Sequence, residues 1–369
     1  MNMGSALKGA GVAGALVGVA ALGAAVGVFG ERYALRRIRK AKDPHADERF
    51  GALPADETRT VRTDDGVELH VEVMGPPGRG KPINVVFVHG FCLNMGTWHF
   101  QRLALDSRVN PSVRDALGDI KLRLVFYDQP GHGRSDRRAA NEYTLDQLAE
   151  DLHTVLEQVC PRGPLVLLGH SMGGMTLMAL AERYPKLFAD RVVGVGLLST
   201  SAGHLDDVAL GMPRFMTRLR KPLMPTIAGT LKSHPKLGEL GRMSGTDLAY
   251  LMTRYYGFGS RSPSTALVEF TEQMIESTSM EVIAGYLGTL AEHDRSAALR
   301  VFERLETLIV CGNKDRITPV AHTKEMAEFL PAAELLQIPD GGHLTLLEHH
   351  ERVNEHLVAF LARAAYAVS

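Results

Sequence analysis

Hydrophobic positions along this chain fall into three patterns, and each predicts a different structure. From Gly9 to Gly30 there are 22 consecutive positions without a charged or strongly polar side chain, nearly all Ala, Gly, Val and Leu. A membrane-crossing helix needs about 20 such residues. From Val67 to Val73 apolar and polar residues alternate with period two, after the short run Thr60–Arg62 and the turn Thr63-Asp64-Asp65-Gly66. That pattern predicts an antiparallel hairpin at a sheet edge. Farther on come short, continuous apolar runs at Ile83–Val88, Leu122–Tyr127, Leu165–Leu168, Val192–Leu198, Leu308–Val310 and Leu335–Ile338. Runs of this kind, separated by helical stretches, predict a parallel sheet buried on both faces with crossover helices. Helices are predicted at Leu145–Val159, Thr176–Tyr184, Ala321–Phe329 and Leu344–Ala364.

The alternation breaks between residues 202 and 293, where no strand-like run occurs and prolines stand at 213, 222, 225, 235 and 263. This stretch predicts several short helices inserted at the carboxyl end of the sheet, where sites in α/β folds form. Seven of the fifteen methionines fall here, at 212, 216, 224, 243, 252, 274 and 280. Methionine adapts to irregular apolar ligands, so these side chains are candidates for an acyl pocket, with ordinary core packing as the alternative. The division expected is a membrane anchor at 1–30, a charged linker at 31–58, an α/β core at 59–201 and 294–369, and a helical cap at 202–293.

Charge gives the anchor an orientation. Arg32, Arg36, Arg37, Arg39, Lys40 and Lys42 follow the apolar span, against Lys8 before it. The positive-inside rule then predicts a single-pass membrane protein with its catalytic domain in the cytoplasm. Secretion through a cleaved signal peptide is the alternative, but a signal carries its positive charge ahead of the apolar stretch. Over the whole chain the net charge is −1, which gives no ground for a nucleic-acid partner. Cys92, Cys160 and Cys311 lie far apart with no metal-ligand spacing, so neither a metal nor a cofactor is expected. Nothing in the sequence selects an oligomeric state.

Candidate chemistry centres on Gly169-His170-Ser171-Met172-Gly173, between an apolar run and a helix-compatible stretch. A G-x-S-x-G sequence placed where a strand turns into a helix holds its serine hydroxyl above the sheet. Such a serine needs a base, and the base needs an orienting group. The run ending at Gly312 leads into Asn313-Lys314-Asp315, and the run ending at Pro339 leads into Asp340-Gly341-Gly342-His343. His343 is the candidate base, as the only late histidine on a glycine-flanked loop after a strand; Asp315 is the candidate acid. His349, His350 and His356 are expected to be solvated on the last helix. The oxyanion donors expected are the amides of Met172, just after the serine, and Phe91, in the loop after Ile83–Val88. His89, His132 and His170 are expected to brace loops without doing chemistry.

Together Val88-His89-Gly90-Phe91, Tyr127-Asp128-Gln129-Pro130-Gly131-His132-Gly133-Arg134-Ser135, Gly169–Gly174, Gly312–Asp315 and Gly341-Gly342-His343 resemble the α/β-hydrolase fold superfamily, in its capped esterase/lipase-like branch. The resemblance runs from about residue 60 to 365. It implies an eight-stranded, mostly parallel sheet flanked by helices, a helical cap after the sixth strand and a Ser171–His343–Asp315 triad. Relatives that are epoxide hydrolases or haloalkane dehalogenases carry Asp where this chain has Ser171. Proline-specific aminopeptidases usually carry Trp where it has Met172. The function expected is a serine hydrolase cleaving carboxylic esters, of a small molecule or an acyl lipid, through an acyl-enzyme. Thioesterase, amidase, carbon–carbon hydrolase and acyltransferase chemistry use the same residues, and a non-catalytic membrane-anchored binding protein is the remaining alternative.

Overall fold

Successive side chains of the central strands pass to opposite sides of one sheet. Val86, Val88, Leu165 and Leu167 pack into the core on one face; Val85, Phe87, Val166 and Leu168 pack into the core on the other. The computed structural model describes residues 43–75, 82–138, 143–203 and 246–367, apart from 52, 54, 107, 109 and 119. In chain order the elements begin with β1 (Glu57–Arg62), β2 (Glu68–Met74) and β3 (Ile83–Val88), then α1 (His99–Ala104), α2 (Pro111–Leu117) and β4 (Leu122–Tyr127). Next come α3 (Leu145–Val159), β5 (Leu165–His170), α4 (Met172–Arg183), α5 (Pro185–Asp190) and β6 (Val192–Leu198). Among the described residues after β6 lie the helices α6 (Thr246–Gly257), α7 (Thr265–Ser277) and α8 (Met280–Ala291). The chain then returns through β7 (Glu306–Gly312), α9 (Val320–Phe329), β8 (Glu334–Ile338), α10 (Thr345–Glu348) and α11 (His350–Tyr366).

The eight strands form one sheet in the order β1-β2-β4-β3-β5-β6-β7-β8. The period-two segment pairs as an antiparallel edge, with Val61 opposite Leu69, and β2 runs antiparallel to β4. Every other pairing is parallel. Both faces of β3, β4 and β5 are buried throughout, which is why these strands read as predominantly apolar runs, with Asn84, Arg123 and His170 as their buried polar members. Local caps start the helices. Thr144 accepts from the Gln147 amide at α3, Ser264 from the Leu267 amide at α7, and Ser279 from the Val282 amide at α8.

Three expectations change. Helix α4 begins at Met172, four residues before the predicted start. The predicted helix Leu344–Ala364 is two helices, because His349 leaves the helical region at φ −127° and ψ 40°. The third is a correction of the placement in a membrane. Among the described residues no helix is long and apolar enough to cross one. The longest, α11, has 17 residues and carries charge along its length, against the roughly 20 apolar residues a span requires. The single-pass assignment is therefore withdrawn, and with it the orientation drawn from flanking charge. The segment 1–30 and half of the linker at 31–58 lie outside the described residues, as does 204–245 within the expected cap.

Candidate active site

Ser171 occupies the turn between β5 and α4 with φ 52° and ψ −119°, a conformation that L-residues rarely adopt. Holding it costs about 1–3 kcal/mol, which neighbouring structure must offset. The Ser171 amide donates to the Leu198 carbonyl at 2.9 Å, and the Thr200 hydroxyl donates to the Ser171 carbonyl at 2.7 Å. Gly173 passes so close to β3 that a Cβ there would lie 2.1 Å from the Val88 carbonyl oxygen. The elbow glycine is thus required by contact. Ser171 itself is 8% exposed, at the amino end of α4, where backbone amides carry positive partial charge.

The loop after β3 runs against the serine. A Cβ on Gly90 would stand 3.2 Å from the Ser171 Cβ and 2.8 Å from His170 Nδ1. Two buried imidazoles fix this loop. His89 Nδ1–H donates to the Gly90 carbonyl at 2.8 Å, and its Nε2 accepts from the Gln129 amide at 2.9 Å. The Gln129 side-chain amide returns a bond to the His89 carbonyl at 2.7 Å. His132 Nδ1–H donates to the Pro130 carbonyl at 3.0 Å, and its Nε2 accepts from the Cys92 amide at 3.2 Å. Each ring needs one bare nitrogen for these bonds, and burial supplies it: His89 is held well below the usual imidazole range and His132 is lowered to about 4. Phe91 lies next in this loop, in ring contact with His132 and Tyr286 at centroid distances of 6.4 and 5.9 Å.

Asp315 and His343 meet from separate strand ends. Asp315 follows β7 and His343 follows β8, and each is 6% exposed. His343 Nδ1–H donates to Asp315 Oδ2 at 2.9 Å. The Ile317 and Thr318 amides donate to Asp315 Oδ1 at 2.8 and 2.9 Å, and the Thr318 hydroxyl donates to Oδ2 at 2.8 Å. A buried carboxylate with this many donors is held in one orientation. Asp340, three residues before His343, is exposed beside Lys314 instead.

The link to the serine runs through its neighbour. His170 Nε2–H donates to the His343 main-chain carbonyl at 3.1 Å, and burial lowers His170 to about 3. Ser171 and His343 side chains are not hydrogen-bonded to each other here. Bonds of this kind tighten when a substrate is in place. The structure therefore pairs Asp315 with His343, brings the Ser171 backbone beside both the Phe91 loop and the His343 loop, and opens α4 at Met172.

One residue of this neighbourhood was missed by sequence reasoning. Thr318, whose hydroxyl lies 2.8 Å from Asp315 Oδ2 and 3.3 Å from His343 Nδ1, stands three residues after Asp315 and just before Pro319. An Asp-x-x-Thr turn was its only available signal. His170 was expected to brace a loop, but its partner, the His343 carbonyl, lies far away in sequence and was not foreseen. Expectations elsewhere also shift. His350 is stacked on Phe100 at 3.7 Å, and His356 pairs with Glu334, so neither is simply solvated. Among the described methionines of the insertion, Met274 is core and Met252 is 47% exposed. Among the described residues no group of three or more His, Cys, Asp or Glu is arranged to hold a metal.

A parallel α/β sheet with a serine at a strand–helix turn and an Asp–His pair on the following strand ends defines a class, and comparison places the chain within it. The alpha/beta hydrolase fold family matches residues 83–350, and the chain belongs to that family. It is 26% identical over 303 residues to the AB hydrolase superfamily protein YisY of Bacillus subtilis, covering 81% of this chain and 97% of that one. It is 29% identical over 229 residues to the magnesium-chelatase 30 kDa subunit of Rhodobacter capsulatus, covering 61% of this chain and 72% of that one. Among solved structures, a thermophilic esterase from Thermogutta terrifontis is 25% identical and superposes with a TM-score of 0.62 over 84% of this chain and 99% of that one. The chain is a hydrolase of the α/β-hydrolase family with esterases among its structural neighbours.

Proposed function

We propose that the chain is a serine hydrolase that cleaves carboxylic esters through an acyl-enzyme, with Ser171 as nucleophile, His343 as base and Asp315 as the group that orients the base. The observation that carries this reading is the 2.9 Å bond from His343 Nδ1 to a carboxylate already fixed by three other donors. That bond leaves Nε2 as the nitrogen available to the serine proton, which is the tautomer a general base needs. His343 takes the proton as Ser171 Oγ attacks the ester carbonyl. The amides of Phe91 and Met172 receive the oxyanion, and the imidazolium then protonates the departing alcohol. Water repeats the sequence to release the acid and regenerate the serine.

In this reading residues 202–293 form the cap over Ser171, and the α/β core comprises 59–201 and 294–369. Apolar surroundings support an ester with a hydrophobic acyl group: Phe91 and Tyr286 are in ring contact beside the serine loop, and Met172 is fully buried. The similarity to the Thermogutta terrifontis esterase agrees. The test is hydrolysis of p-nitrophenyl acetate and butyrate by the wild type, Ser171→Ala and His343→Ala. Loss of turnover in both variants, with folding intact, supports the reading. Wild-type turnover by Ser171→Ala would sink it. Acyl-thioesters and anilides assayed alongside distinguish the ester from the other bonds this chemistry cleaves.

A further inference from the structure

Both amides that flank His343 are held by groups outside its own loop. The Leu344 amide donates to the Gly257 carbonyl at 2.8 Å. The Gly342 amide donates to Glu348 Oε2 at 2.8 Å. Glu348 closes α10, and its side chain is only 6% exposed. The same carboxylate accepts from the Gly259 amide at 2.9 Å through Oε2 and from the Ser260 amide at 2.7 Å through Oε1. Three main-chain donors from two segments therefore converge on one buried carboxylate.

Those segments are far apart in sequence and fit each other closely. Residues 257–260 run from the last residue of α6 into the turn after it, whereas residues 340–343 follow β8. A Cβ on Gly259 would lie 2.2 Å from the Asp340 carbonyl oxygen, and a Cβ on Gly342 would lie 2.4 Å from the Gly259 nitrogen. Backbone meets backbone there, with no side chain between. From the other side, Arg316 Nη1 donates to the Tyr255 carbonyl at 2.7 Å and the Phe258 carbonyl at 3.3 Å, with its guanidinium 4.2 Å above the Tyr255 ring. Arg316 is the residue after Asp315. The turn that follows α6 is thus tied to the acid loop and to the histidine loop.

We propose that Glu348 is a positioning residue for His343: it fixes the main chain on which the imidazole stands, using the turn at 257–260 as the second jaw of the clamp. This rests on the reading of His343 as the base. An ionised glutamate accepts only and suits three N–H groups. Glutamine of the same size turns two N–H groups of its own toward them, so the clamp loses at least one bond and gains a repulsive contact. The His343 ring then loses its alignment with Ser171 without any change in the surfaces that bind substrate. A displacement of about 1 Å at a base lowers turnover by about 10²-fold.

The experiment is steady-state hydrolysis of p-nitrophenyl acetate by Glu348→Gln, with active serine titrated by a fluorophosphonate and folding checked by near-ultraviolet circular dichroism. The result expected is a kcat reduced by more than about tenfold with KM within about twofold of wild type. A smaller loss of kcat, or a loss expressed in KM, overturns the proposal. Should Glu348→Gln not fold, Glu348→Asp keeps the charge and is judged by the same two criteria. Ser171→Ala and His343→Ala are run beside it. If those retain wild-type turnover the failure lies with the serine-hydrolase reading, and if they lose it while Glu348→Gln does not, only the clamp is wrong.

Discussion

His170 and His343 are joined by a 3.1 Å hydrogen bond from an imidazole Nε2 to a main-chain carbonyl, across 173 positions of sequence. The bond ties the residue before the candidate nucleophile to the main chain of the candidate base. Because His170 is fully buried and lowered to about 3, it stays neutral and keeps one N–H to donate across ordinary working pH. His170→Phe preserves the ring and removes the donor. We predict a kcat loss of about tenfold, equivalent to roughly 1.4 kcal/mol, with KM little changed. Steady-state kinetics on a p-nitrophenyl ester checks it, and an equal rise in KM would count against a role in alignment.

Thr318 offers a second, independent handle on the same pair. Its hydroxyl donates to Asp315 Oδ2 and lies 3.3 Å from His343 Nδ1. Thr318→Val keeps the shape and deletes that donor. Turnover should fall by about tenfold, and stability by about 1–2 kcal/mol, because a buried charged acceptor loses a partner. Urea denaturation and kinetics on one preparation measure both effects. Unchanged kcat would mean that the two Asp315 Oδ1 bonds suffice to orient the carboxylate.

How far the sequence could be read depended on the distance over which each feature is encoded. Strands β3, β4 and β6 match the predicted runs residue for residue, because burial on both faces leaves them almost wholly apolar, with Asn84 and Arg123 the buried exceptions bonded to carbonyls. The elbow, Asp315 and His343 were legible because local motifs mark them on strand ends. The His170 bond, the Thr318 hydroxyl and the Glu348 clamp were not, since each depends on contacts between segments brought together only by the sheet. The break at His349 escaped for a related reason. Apolar spacing continues across it, from Leu346 and Leu347 to Val353 and Leu357, while the backbone does not. An apolar stretch at 1–30 suggested a membrane span, but composition states only what a helix there would tolerate.

Backbone conformation at the elbow separates stability from activity. Ser171 pays for its position with φ 52°, where glycine is at ease. Ser171→Gly should raise stability by about 1 kcal/mol while abolishing hydrolysis. Thermal unfolding of the two proteins checks the sign. A lower melting temperature for the glycine variant would mean that the serine side chain stabilises the turn.

Acid should destabilise the fold through its buried neutral histidines. His132 and His293 are lowered to about 4 and His170 to about 3, in each case chiefly by burial. In the unfolded chain these rings titrate near 6.5. Between about pH 6.5 and 4 the unfolded state therefore binds more protons, and stability falls as pH falls. Each such group contributes roughly 1 kcal/mol per pH unit in that window. For His132 the slope levels off below about pH 4, where both states are protonated. Urea midpoints from pH 7 to 4 measure the slope, and His132→Asn should make it shallower. A slope identical to wild type would show that His132 is already charged in the fold.

The central claim is that Ser171 carries the acyl group between two halves of the reaction. Rapid mixing with p-nitrophenyl butyrate, acid quench and mass spectrometry of the digested protein test it directly. The account predicts a butyryl adduct on the peptide containing Ser171, formed with a burst of nitrophenol and enriched in a variant slowed in deacylation. Full turnover with no adduct at Ser171, or an adduct on another residue whose removal stops the reaction, would contradict it.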